Sequence, residues 1–75
     1  MSELPVVSGS ECARALEKLG FYLKRQKGSH LIYRRDDPFC QVVVPKHKTL
    51  DRGTLKSILA QAELGVGEFV KALKS

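Results

Sequence analysis

Seventy-five residues make about half an average domain, and a chain that short buries only about 60% of its unfolded surface, which leaves room for one modest core and none for a deep cofactor cavity. Thirteen lysines and arginines against eight acidic residues give a formal charge of +5, so polyanions are the favoured partners. No stretch approaches the roughly 18 apolar residues of a membrane span, and Met1 to Pro5 lack the basic and apolar regions of a secretory leader.

We therefore read residues 1–75 as one domain with a cytoplasmic location and no membrane partner. The charge is concentrated in the middle. Between Lys24 and Lys56, nine lysines and arginines stand against Asp36, Asp37 and Asp51, a local charge of +6.

Ser8 followed by Glu11 has the form of a capping box, in which each side chain accepts a backbone N–H at a helix start. Cys12, Ala15, Leu16 and Leu19 follow at helical spacing, and Gly20 closes the segment. Phe21 to Gln26, with its alternating Phe21 and Leu23, predicts a first strand. Lys27-Gly28-Ser29 supplies turn chemistry, and His30 to Arg35 is rich in β-formers. Asp36-Asp37-Pro38 marks a second turn. Phe39 to Val44 is the third strand, ended by Pro45, which cannot donate to a ladder.

Leu55, Ile58, Leu59 and Ala62 predict a second helix over about Thr54 to Glu63. Leu64 to Gly67 breaks that pattern. Glu68, Phe69, Val70 and Leu73 suggest a short terminal helix whose start is weakened by two glycines. The order helix, three strands, helix predicts an α+β fold: a three-stranded antiparallel meander with both helices on one face. Double-stranded-RNA-binding domains share this order, but function must be argued from particular residues.

His30 opens the second strand directly after Gly28-Ser29, with Lys24, Arg25 and Lys27 just before it. An imidazole can take the proton from an RNA 2′-hydroxyl or give one to the departing 5′-oxygen, and neighbouring cations stabilise the charge developing on phosphate. A strand-end histidine that only hydrogen-bonds a loop fits the spacing as well. Lys46, His47, Lys48 and Arg52 cluster before the second helix, where free amides and basic side chains would converge on a phosphate; a solvated basic loop is the alternative. For His47, packing or phosphate positioning is favoured over catalysis.

Cys12 and Cys40 are read as buried thiols, and nothing indicates an oxidising compartment. The histidines and cysteines lack metal-ligand spacing, so no metal and no small-molecule cofactor is expected. The five aromatic residues are largely needed by the core, which favours recognition of the RNA backbone over base stacking.

The stretches Gly20-Phe21 through Lys27-Gly28-Ser29-His30, Val42 through His47, and Gly53 through Ala62 together resemble the HicA family over nearly the whole chain. That resemblance implies a double-stranded-RNA-binding-like fold. It also implies a metal-independent endoribonuclease, an mRNA interferase, which acts as the toxin of a type II toxin-antitoxin system and is neutralised by a HicB-type antitoxin encoded beside it. The family's catalytic histidine falls on His30, Gly28 and Ser29 complete its glycine-serine-histidine motif, and His47 matches a histidine that recurs after the third strand. Gly65-Val66-Gly67 departs from the polar start usual before the last helix. Lys24, Lys27, Lys46, Lys48 and Arg52 are then expected to hold phosphates, and the antitoxin to cover His30 and the basic face. A non-catalytic RNA-binding module on the same fold is the alternative.

Overall fold

A computed structural model describes residues 4–75. Met1, Ser2 and Glu3, on which part of the leader reading rests, lie outside the described residues. The element order is α1 (Gly9–Lys18), β1 (Tyr22–Lys27), β2 (His30–Asp36), β3 (Phe39–Pro45), α2 (Arg52–Ala62) and α3 (Val66–Lys74). The three strands form one antiparallel sheet in the order β1-β2-β3, so the expected α+β layout is observed. Among the described residues, no helix is long and apolar enough to cross a membrane.

The capping box forms as its residues predict: the Ser8 hydroxyl accepts the Glu11 N–H at 3.0 Å, and the Glu11 carboxylate accepts the Ser8 N–H at 2.8 Å. Helix α1 turns Cys12, Ala13, Ala15 and Leu16 into the core. Leu31 and Tyr33 of β2 and Cys40, Val42 and Val44 of β3 come up to meet it. Because successive strand residues point to opposite faces, this alternation puts the core and all three helices on one side of the sheet and leaves the other side open. Both cysteines are free and buried. Burial pushes the Cys12 thiol up to about 12, and the Cys40 thiol lies 2.8 Å from the Gln61 carbonyl. The Tyr33 hydroxyl donates to Glu17 at 2.8 Å; burial first, and then this carboxylate, raise its pKa to about 12.

Three boundaries differ from the expectation. Strand β1 begins at Tyr22; Phe21 is buried just ahead of it, but Leu23 is 45% exposed. The strand lies at the sheet edge, and a bulge between Leu23 and Arg25 interrupts its alternation, so the pattern does not extend from Phe21 into a buried stripe. Helix α2 starts two residues early because Asp51, not the Gly53-Thr54 pair, caps it, its carboxylate accepting the Thr54 N–H at 2.6 Å. The break after α2 lies at Glu63, which adopts the left-handed conformation, and Val66 and Gly67 already belong to α3.

That terminal helix packs as a core element. Phe69 is fully buried, the Glu68 carboxylate accepts the Gly65 N–H at 3.3 Å, and the Lys18 ammonium of α1 donates to the carbonyls of Ala72 and Ser75. A cation at a helix C-terminus satisfies carbonyls that have no partner within the helix and complements the helix dipole.

Candidate RNA-facing site around His30

The turn between β1 and β2 is two residues long. Lys27 pairs with His30 across it, and Gly28 takes φ +58, a conformation glycine adopts without the steric penalty a side chain brings. His30 is exposed and stands opposite Pro45 on its other side. The Lys46 N–H donates to the Ser29 carbonyl at 2.7 Å, which fastens the turn to the end of β3. Backbone geometry therefore holds together Lys27, Gly28, Ser29, His30 and Lys46, five of the residues singled out in the sequence.

Behind this end of the sheet, the start of α1 packs against the chain leaving β3. The Gly9 N–H donates to the His47 carbonyl at 2.9 Å, and the Leu50 N–H to the Val7 carbonyl at 2.8 Å. A Cβ on Gly9 would lie 2.1 Å from the Pro45 carbonyl oxygen. Only hydrogen at that position lets the helix approach so closely.

The remaining basic residues do not gather at one point. Lys24 occupies the β1 bulge, three residues and about 10 Å up the strand from Lys27. Lys48 lies in the exposed connection to α2, and Arg52 is the first residue of that helix. The expected convergence of free amides at the α2 start is changed by Asp51: its carboxylate already takes the Thr54 N–H. Accepting this hydrogen bond, and secondarily facing His47, holds the Asp51 carboxyl below its ordinary pKa. The carboxylate offsets the unfavourable placing of cations at a helix N-terminus and takes one of the amides there, that of Thr54.

Lys46 and His30 face different ways. His30 shares the open side of the sheet with its cross-strand partners Lys27 and Pro45. Lys46, one residue on, lines a groove of about 210 Å³ between α1 and β2 together with Ser10, Arg14, Leu31 and Tyr33. Arg14 and Asp51 escaped the sequence reading. Arg14 follows Ser10 at the spacing of one helical turn, and Asp51 three residues before Thr54 is a capping signal; either pattern was available. Among the described residues, no three His, Cys, Asp or Glu side chains come together.

The α-β-β-β-α layout, with an exposed turn histidine at one end of the sheet, defines a small α+β domain. Residues 9–64 match the family described as HicA toxin of bacterial toxin-antitoxin, and the chain belongs to that family. No match was found among curated proteins. The family is one of toxins, and a toxin-antitoxin system implies an antitoxin partner. Helix α3 and the segment before Gly9 lie outside the matched residues.

Proposed function

We propose that this chain is a single-domain endoribonuclease, the messenger-RNA-cleaving toxin of a type II system, and that a HicB-type antitoxin neutralises it in the cytoplasm. The observation that carries this reading is the placement of His30: exposed, at the first residue of β2, on a turn braced by the Ser29 to Lys46 hydrogen bond, with Lys27 directly across. In the proposed reaction the RNA 2′-oxygen attacks the adjacent phosphorus and the 5′-oxygen leaves, giving a cyclic phosphate that water opens afterwards. His30 accepts the 2′-hydroxyl proton or donates one to the 5′-oxygen, and no metal is assigned to either step. Lys24, Lys27, Lys46, Lys48 and Arg52 hold phosphates, His47 positions the loop, and the Gly28-Ser29 backbone lets the strand approach closely.

Proton transfer by a positioned side chain contributes about 10²- to 10⁴-fold in rate. His30→Ala is therefore expected to lose RNA cleavage by that factor, and toxicity with it, while keeping its circular dichroism spectrum and melting temperature, because the side chain is exposed. Cleavage assays on purified RNA check this. A folded variant that cleaves at the parent rate makes the chain a non-catalytic RNA-binding module instead.

A further inference from the structure

Helix α1 carries one cation that the fold itself does not use. Glu11 and Glu17 lie three residues either side of Arg14, the spacing of a helical ion pair, but both carboxylates are committed elsewhere. Glu11 accepts the Ser8 N–H in the capping box, and Glu17 accepts the Tyr33 hydroxyl at 2.8 Å. Lys18 is committed as well, to carbonyls at the end of α3. Arg14 and Lys46 are exposed, and among the described residues neither takes part in an ion pair.

These two cations border the groove of about 210 Å³ between α1 and β2. Its floor is made by Ala13, Leu31 and Tyr33, all buried. Register extends that floor outward to Leu23, which pairs with Tyr33 and is 45% exposed. Ser10, one helical turn before Arg14, adds a hydroxyl donor at the rim. Two cations against Glu17 leave the groove positive, and a guanidinium grips two oxygens of one phosphate through its planar fork.

The groove is continuous with the proposed cleavage site. Lys46 follows Pro45, the cross-strand partner of His30, which puts the Lys46 and His30 Cα atoms within about 10 Å of each other. The open side of the sheet presents Tyr22, Ile32, Phe39 and Val43 beside His30, whereas the groove lies on the helix side. A strand that passes His30 and enters the groove must therefore turn over the sheet end, across the Ser29 to Lys46 hydrogen bond. A double helix is stiff over lengths far beyond this domain and cannot make that turn; an unpaired strand can.

We propose that the groove between α1 and β2 is a second RNA subsite, in which Arg14 and Lys46 hold a phosphate of the strand that passes His30, and that the RNA is unpaired where it crosses the sheet end. The inference rests on the nuclease reading and adds to it a residue, Arg14, and the strandedness of the substrate. It sets the chain apart from double-stranded-RNA-binding domains, which share its element order and dock on a duplex. An acidic peptide would also satisfy two cations. RNA is favoured because the Ser29 to Lys46 bond braces the groove to the histidine, so that one chain of evenly spaced phosphates meets both.

Fluorescence anisotropy with unstructured oligouridylates of increasing length reads the subsite, in the full chain carrying His30→Ala so that binding is separated from cleavage. Affinity is expected to step up once the oligonucleotide reaches from position 30 to the groove. Arg14→Ala, at an exposed helix position where alanine is well tolerated, should remove that step, weaken the longest oligonucleotide about tenfold and leave the shortest unchanged. Arg14→Lys should restore part of the loss, and Lys71→Ala, which removes the same charge from α3, should change nothing. With His30 present, Arg14→Ala should raise KM for long RNA and leave kcat unaltered. Annealing complementary oligoadenylate should weaken binding by a similar factor. Equal affinities with and without Arg14→Ala at every length overturn the subsite and leave the nuclease reading intact. A duplex bound as tightly as the single strand overturns the unpaired path, and a loss with Lys71→Ala equal to that with Arg14→Ala assigns the effect to net charge and refutes the groove. If Arg14→Ala spares RNA but weakens a complex with the protein encoded by the adjacent reading frame, the groove belongs to a protein and the proposal is wrong. A parent chain that neither binds nor cleaves RNA ends the nuclease reading, and the subsite with it.

Discussion

Gly9 shows how one residue type sets the site's geometry. Its N–H is spent on the His47 carbonyl, and its missing side chain is what lets α1 rest on the Pro45 backbone. The atom an added methyl would strike belongs to the main chain, so the clash cannot be relieved by a side-chain rotation. Gly9→Ala is expected to cost about 2 kcal/mol or more, as overpacking typically does, which for a domain of this size lowers Tm by on the order of 10 °C. A thermal melt checks the stability effect. RNA cleavage at a temperature where the variant remains folded should fall as well, because the displaced segment carries Lys46 and His47. Gly28 lies on the opposite side of the same site and has open space around it. There, backbone conformation rather than crowding selects glycine.

At the scale of elements, α3 is where the sequence reading was weakest and the packing most decisive. Gly65 and Gly67 lower the intrinsic helix propensity of its start, yet Phe69 inserts fully into the core and Lys18 ties off its last carbonyls. Tertiary burial overrides local propensity here, as it commonly does for short helices. Phe69→Ala should therefore cost about 3–5 kcal/mol, a large fraction of the stability of so small a domain. The measurement is a urea titration, whose midpoint should fall with little change in slope. A variant that unfolds at the parent midpoint would show that α3 is dispensable. Helix α1 is the contrasting element: its capping box, buried stripe and end were all readable, because each depends on contacts within about four residues.

For the whole molecule, the distribution of charge over the fold matters more than the net +5. The central segment folds so that its cations occupy both sides of the sheet and the start of α2, which suits contact with a phosphate backbone that wraps the sheet end rather than one that meets a flat patch. Such contacts release counterions, so RNA affinity should fall steeply and log-linearly with salt, with little dependence on base sequence. Lys46→Ala should reduce that slope by about one, whereas His30→Ala should leave it unchanged. Filter binding across a salt series distinguishes the two, and a slope near zero for the parent would refute phosphate recognition.

The sequence by itself determined the element order, the meander, the buried thiols and the family, because periodicity, turn chemistry and motif order are properties of neighbouring residues. It also located the Gly28-Ser29-His30 turn and the basic residues beside it. It left open which cations share a side with His30, since adjacent strand positions point to opposite faces and the β1 bulge shifts the count by one. The capping of α2 by Asp51 was present as a short pattern but was outweighed by the glycine beside it. Only the tertiary structure decided that Lys46 turns toward Arg14, that Gly9 carries the approach of α1 to β3, and that Tyr22, Ile32, Phe39 and Val43 form one open surface. Those facts depend on strand register and helix packing, which bring together residues up to several tens of positions apart and leave no local trace in the chain.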